Sequence, residues 1–353
     1  MLKTKAKLGE MPAIKVFNPD GDDTLPERPI WGGNTTNLMQ LNDVRHPWAV
    51  GLYRQMRENF WVAEKIDITQ DVNDYNNLTE RERRAYDGIL AYLTFLDSVQ
   101  TVNLPQLKLS ITAPEVSMCM AEQISQEALH NQSYQYLIEG LIPPDRRSQV
   151  YDFWRTDKVL RERCLLVSRA YQRYVDEKTP ESYFEALWAD YLLEGLYFWN
   201  GFQFFYVLSS RQLMPGTADI IKYINRDELS HVRLFQKIMP EAMASFPHSR
   251  AFIEDFTAQA VEQECLWSGH IVGDDILGIT SETTQQFTKH LANLRLRAVG
   301  LEPIYAANES KNPYRHLEGV ADIDGSGGTK ANFFETTVTS YNQSGALSGW
   351  DEF

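Results

Sequence analysis

The chain reads as an all-α protein, a bundle of helices without a sheet, and three observations carry that expectation. Apolar residues recur at helical spacing over long stretches, as in Tyr86, Leu90, Leu93 and in Leu187, Tyr191, Phe198, Phe202. Helix-start signals open those stretches: Thr79-Glu80-Arg81-Glu82 and Thr112-Ala113-Pro114-Glu115 have the capping-box pattern, and Thr179-Pro180 puts proline at the first helical position. No run alternates with period two, and neither a strand–helix rhythm nor a short repeat is present.

In chain order, residues 1–42 mix Pro, Gly, Asp and Asn, as in Asn18-Pro19-Asp20-Gly21 and Trp31-Gly32-Gly33-Asn34, and are expected to form an N-terminal arm on the main body. Residues 43–300 hold the helical domain. It starts with a short amphipathic helix from His46 to Phe60, then Trp61 and a polar connection over 67–77. The helix from Thr79 carries its apolar stripe into Asp97, a residue out of place in a core. The next stripe reads Met120, Gln123, Glu127, His130, Tyr134, Leu137. Beyond Pro143-Pro144 a helix of mixed charge is expected over about 146–177. The aromatic helix from Thr179 carries one carboxylate, Glu194, in its apolar row. A helix from Gly216-Thr217 presents Ile220, Ile224, Asp227, Glu228 and His231 along one side. Helices are expected again over 248–271 and 282–298, and residues 301–353, with Asp324-Gly325-Ser326-Gly327-Gly328, as a mobile C-terminal tail.

Composition narrows the function. With 353 residues and 43% hydrophobic content the chain can bury a large core, while a formal charge of −14 speaks against nucleic acid and anionic membranes as partners. The three cysteines, Cys119, Cys164 and Cys265, lack CxxC pairing, which disfavours a disulfide framework and a zinc ribbon. No apolar leader is seen and no segment approaches the roughly 20 apolar residues of a membrane span, so a cytoplasmic protein is expected.

The chemistry lies in two Glu-x-x-His pairs, Glu127/His130 and Glu228/His231, in a chain with only 7 His. Glu127, His130 and Tyr134 fall on one helical face, which is costly to bury unless the charged groups find a partner such as a metal ion. The lone carboxylates Asp97 and Glu194 are 97 residues apart and the two pairs 101 apart, the spacing of two similar helix pairs packed face to face. One carboxylate from each of two helices plus Glu-x-x-His from each of two others is the ligand set of the ferritin-like di-iron and di-manganese bundles. The candidate metal ligands are therefore Asp97, Glu127, His130, Glu194, Glu228 and His231. Four carboxylates offset most of the charge of two divalent ions, and each imidazole adds a neutral nitrogen. Any one of the six alone would read as an ordinary core or surface polar residue.

With these residues assembled, the chain resembles the small, radical-generating β subunit of class I ribonucleotide reductase over essentially its whole length. The resemblance is carried by Leu96-Asp97-Ser98-Val99-Gln100, Glu127-Ala128-Leu129-His130 with Ser133-Tyr134, Leu193-Glu194-Gly195, and Arg226-Asp227-Glu228-Leu229-Ser230-His231. It implies a ferritin-like bundle whose four-helix core binds two metals, either two manganese ions, two irons or one of each, a homometallic pair being favoured. It further implies that Tyr134 is the radical tyrosine within an apolar pocket of Phe198, Phe202 and Ile224. Trp61 would stand on the radical-transfer route, Asp227 would link it to a metal-bound histidine, and Tyr341 would pass the electron hole onward. The final residues, through Trp350-Asp351-Glu352-Phe353, would dock on the catalytic α subunit, and a homodimer is implied. Ile30-Trp31-Gly32-Gly33-Asn34 and Ala91-Tyr92 to Gln100-Thr101 resemble the dimanganese subclass, in which this tyrosine is kept but the oxidant is stored on the metals. Before the first helix there is no room for an appended nucleotide-binding cone, so allosteric control by one is not expected.

The expected function is thus generation of an oxidant by a dinuclear centre and its delivery to an α subunit that reduces ribonucleotides to deoxyribonucleotides. The alternatives are a ferritin-like metal oxidase acting on a small molecule in its own cavity, or an iron store. Asp97 as first ligand, Tyr341 and the Trp61–Asp227 pair favour the reductase subunit.

Overall fold

The structure is a computed structural model that describes residues 9–11 and 14–317. Among the described residues there are eleven α-helices and no strand. They are α1 (Pro47–Glu58), α2 (Thr69–Asn77), α3 (Glu80–Lys108), α4 (Pro114–Leu141), α5 (Pro144–Thr156), α6 (Lys158–Glu177), α7 (Pro180–Leu192), α8 (Trp199–Ser210), α9 (Pro215–Ser245), α10 (Arg250–Ile271) and α11 (Ser281–Ala298).

Two helix starts form as their sequences demand. Thr79 accepts from the Glu82 backbone N–H while the Glu82 carboxylate takes the Thr79 N–H at 2.9 Å, and Thr179 caps α7 through Ser182. The capping box expected at Thr112 is absent. Ala113 is the N-cap of α4, the Thr112 hydroxyl donates to the Pro29 carbonyl at 2.8 Å, and Glu115 pairs with Arg28 and His46. Tertiary partners from the arm have outcompeted the local cap.

The polar connection expected over 67–77 contains α2, whose only buried residues are Asp71 and Tyr75, too few for an apolar stripe. Buried Asp71 accepts from the backbone N–H groups of Gly216 and Thr217 at 2.9 and 2.6 Å, so it caps α9 from a distance. The helix expected over 146–177 is split at Asp157, whose carboxylate caps α6 through Leu160 N–H at 3.0 Å. The aromatic helix also breaks: Leu193–Tyr197 is a π turn between α7 and α8.

α3 and α4 pack against each other more extensively than any other pair, α9 packs on α4 and α7, and the π turn packs on α9. α1 lies across α4 and α9, while α10 and α11 pair beyond the π turn. The arm is bonded to this body: Ile30 and Trp31 are buried, Thr112 N–H donates to the Ile30 carbonyl at 2.7 Å, and the Trp31 indole N–H donates to Tyr183 Oη at 3.0 Å. The three cysteines are free, and among the described residues no helix is long and apolar enough to cross a membrane.

Candidate metal centre

Asp97 on α3, Glu127 and His130 on α4, Glu194 in the π turn, and Glu228 and His231 on α9 are all fully buried. Their stripes point inward because the neighbouring turns are apolar; Leu90 and Leu93 before Asp97 and Phe198 after Glu194 are buried as well. The six residues fall into two overlapping groups. Asp97, Glu127, His130 and Glu228 present atoms within 4.8 Å of one another, and so do Glu127, Glu194, Glu228 and His231. Glu127 and Glu228 belong to both, so each half has one histidine and one carboxylate of its own.

His130 Nδ1 lies 3.1 Å from Glu228 Oε1, 3.8 Å from Glu127 Oε2 and 3.9 Å from Asp97 Oδ2. His231 Nδ1 lies 3.1 Å from Glu127 Oε1, 3.2 Å from Glu194 Oε2 and 3.0 Å from Glu228 Oε2. The two Nε2 atoms point away: His130 Nε2 meets Asp227 Oδ2 at 3.4 Å and His231 Nε2 meets Gln126 Oε1 at 3.0 Å. An outward N–H held by an acceptor leaves the inward nitrogen free as a ligand, the usual support of a metal-bound imidazole.

Burial and mutual charge set the electrostatics of the cluster. Burial, then the charges of Glu127 and Glu228, push Asp97 well above the usual carboxylate range. Burial and Glu228 push Glu194 up to about 8. Burial opposes charge on His130, but Asp227, Glu127 and Glu228 outweigh it and raise its pKa well above the ordinary value; carboxylates do the same to His231. Both carboxylate oxygens of Asp97 and of Glu127 are buried without a hydrogen-bond partner. Unpaired buried acceptors are costly, and these converge with two imidazole nitrogens. Four carboxylates and two neutral imidazoles match two divalent ions in charge, and an oxygen-rich set with one nitrogen per ion suits iron or manganese better than softer metals. The residues present fit a dinuclear metal site.

Around it, Tyr134 is fully buried and its hydroxyl has no hydrogen-bond partner; burial and then Asp97 raise its pKa well above the ordinary phenol value. Phe198, Phe202 and Ile224 are fully buried too. Trp61, 1% exposed, donates its indole N–H to Asp227 Oδ2 at 2.8 Å, so Asp227 stands between Trp61 and His130. Tyr341 and Trp350-Asp351-Glu352-Phe353 lie outside the described residues.

Several groups at the site were not singled out for a role from sequence. Gln126 supports His231, and Gln100 and Gln123 both donate to Glu194 Oε1. Tyr223 stacks on Trp61 at 5.1 Å, with Arg226 over the Tyr223 ring at 5.1 Å. Gln100 and Gln123 lie one helical turn from Asp97 and Glu127, a spacing that could have flagged them. Tyr223 carries no such signal.

The family model described as ribonucleotide reductase, small chain, matches residues 38–313. The chain is 37% identical over 337 residues to the ribonucleoside-diphosphate reductase subunit beta of Treponema pallidum, covering 94% of this chain and 95% of that protein. It is 34% identical to the protein of the same name from Halalkalibacterium halodurans, covering 92% of this chain and 94% of that one. Among solved structures, the ribonucleotide reductase R2 subunit from Clostridium botulinum superposes with a TM-score of 0.81 at 38% identity, covering 88% of this chain and 99% of that chain.

Proposed function

The chain belongs to the ribonucleotide reductase small-chain family, and from that premise we propose that it is the radical-generating β subunit of a class I ribonucleotide reductase. The observation that carries the reading is the pair of overlapping four-residue groups sharing Glu127 and Glu228, with Trp61 and Asp227 leading away from His130. Iron or manganese would be held by Asp97, Glu127, His130 and Glu228 in one half and by Glu127, Glu194, Glu228 and His231 in the other. When bound, the two metals supply one-electron oxidising power drawn from an oxygen-derived oxidant.

The remaining work belongs to the chain's own residues. Full burial of Tyr134, Phe198, Phe202 and Ile224 keeps water and reductants from the oxidised state. Tyr134 is the residue of this chain placed to receive the oxidising equivalent where that equivalent is not stored on the metals. Asp227 holds the His130 imidazole and the Trp61 indole on one carboxylate oxygen, so Trp61 is poised to pass an electron inward. Tyr341 continues that route, and the last residues, through Trp350-Asp351-Glu352-Phe353, dock on a catalytic α subunit that binds and reduces the ribonucleotide. The names of the relatives support ribonucleoside diphosphates as substrates of the complex, and the family supports a homodimer.

The test is reconstitution. Metal-loaded protein mixed with its α subunit is expected to reduce ribonucleotides, and deletion of residues 338–353 is expected to abolish this while both metals stay bound. Full activity of the truncated chain would overturn the docking role, and no nucleotide reduction by the complete mixture would overturn the reading.

A further inference from the structure

Three fully buried polar side chains sit one turn from ligands: Gln100 beside Asp97 on α3, Gln123 beside Glu127 on α4, and Asp190 beside Glu194 on α7. Their bonds gather on Glu194. Gln100 Nε2 lies 2.5 Å from both Glu194 Oε1 and Asp190 Oδ1, and Gln123 Nε2 donates to the same Glu194 Oε1 at 3.0 Å. From α6, the Tyr171 hydroxyl donates to Asp190 Oδ1 at 2.9 Å. Glu194 Oε2, in contrast, faces His231. Asp97, the unshared carboxylate of the other half, accepts no hydrogen bond on either oxygen.

An oxygen that takes two amide donors in a dry site is committed to them. The amide of Gln100 could equally turn its carbonyl toward Glu194, which would set two acceptors face to face. Asp190 decides the matter, because its Oδ1, already the acceptor for the Tyr171 hydroxyl, takes the amino end of Gln100, whose second hydrogen reaches Glu194. Tyr171 in turn fixes Asp190. Glu194 needs such tethers because it stands in a π turn, where the backbone departs from the regular α-helical bonding of its neighbours.

We propose that Asp190 and Gln100 are positioning residues that restrict Glu194 to one metal-binding oxygen, Oε2, and so set the metal affinity of the His231 half of the centre without touching the other half. This rests on the dinuclear reading above. The experiment titrates the full-length apo-protein with Mn(II) and follows free Mn(II) by electron paramagnetic resonance, which yields two stepwise dissociation constants. In Gln100→Met and Asp190→Leu, one constant is expected to weaken about 10- to 100-fold, the range seen when a group supporting a metal ligand is lost, while the other stays as in the wild type. Asp190→Asn, which keeps an acceptor for Gln100, is expected to restore most of the affinity. Tyr171→Phe removes a single hydroxyl and serves if the larger changes prevent folding; it is expected to weaken the same constant by a smaller factor. In a His231→Ala background the remaining site is expected to be indifferent to Gln100→Met. Unchanged constants in variants with wild-type circular dichroism, or equal loss at both sites, would overturn the proposal. Wild-type protein binding fewer than two Mn(II) per chain would instead refute the dinuclear reading, and this proposal with it.

Discussion

Trp61 and Asp227, 166 residues apart in sequence, are joined by an indole N–H bond of 2.8 Å to Oδ2, the same oxygen that stands 3.4 Å from His130 Nε2. A shared oxygen makes the tryptophan and the imidazole neighbours in one polar chain while Tyr223 covers the Trp61 ring. Trp61→Phe keeps the stacking but removes the donor. Both metals are expected to stay bound, while nucleotide reduction with the α subunit falls at least about 100-fold, the upper end of losses when such a supporting contact is broken. Metal analysis alongside a turnover assay checks this, and wild-type turnover would refute a role for Trp61 in transfer.

The Glu127 side chain faces both histidines and raises the pKa of Asp97 by its charge. In the apo-protein Glu127→Gln removes both the repulsion with Asp97 and the attraction to His130 and His231, two opposing effects. The variant also loses a ligand common to both halves. Thermal unfolding with and without Mn(II) separates the effects: wild type is expected to gain about 2.7 kcal/mol per site at a hundredfold excess over Kd, and the variant little.

Glu115 anchors the arm to α1 and α4 through Arg28 at 3.3 Å and His46 at 3.2 Å. Burial opposes its ionisation, but His46 and Arg28 outweigh that and hold it down to about 2. His46 is raised, burial being outweighed by Glu115 and Glu241. The Glu115 contribution is present above its unfolded value of 4.5 and is lost as pH falls toward 2; that of His46 is present below 6.5 and is lost as pH rises through its raised folded value. The stability gap between wild type and Glu115→Gln is therefore expected to peak between those limits, at roughly 3 kcal/mol for a broken buried ion pair. Denaturant unfolding across pH measures the gap, and a flat profile would contradict the assignment.

Gly216 is the second residue of α9, the helix bearing Asp227, Glu228 and His231, and a Cβ there would clash with the Asp67 carbonyl oxygen. Because that contact is backbone, neither side can yield cheaply. Gly216→Ala is expected to destabilise the protein by about 1–3 kcal/mol through overpacking, read as a lowered unfolding midpoint. An unchanged midpoint would show that the α2–α9 junction is loose.

How far the sequence reached depends on what each feature needs. The helices of the core were legible because Leu90, Leu93, Leu187 and Tyr191 repeat at helical spacing whatever they pack against. The six inward polar groups stood out because charge inside an apolar row is costly and so is rarely accidental. Asp71 was hidden, since its partners Gly216 and Thr217 are joined to it only by the fold. The Thr112 box failed for the matching reason: a local pattern cannot reveal that Pro29 and Arg28 will claim its groups. The π turn at Leu193–Tyr197 shifts the helical phase, but residues 186–208 are buried on every side, so no polar face marks the shift.

The central claim is that two metal ions share one set of six ligands. Anomalous diffraction from crystals of metal-loaded protein, collected at the manganese and iron edges, tests it most directly. Two peaks per chain are expected, one among Asp97, Glu127, His130 and Glu228 and the other among Glu127, Glu194, Glu228 and His231. A single peak, or peaks away from Glu127 and Glu228, would contradict it.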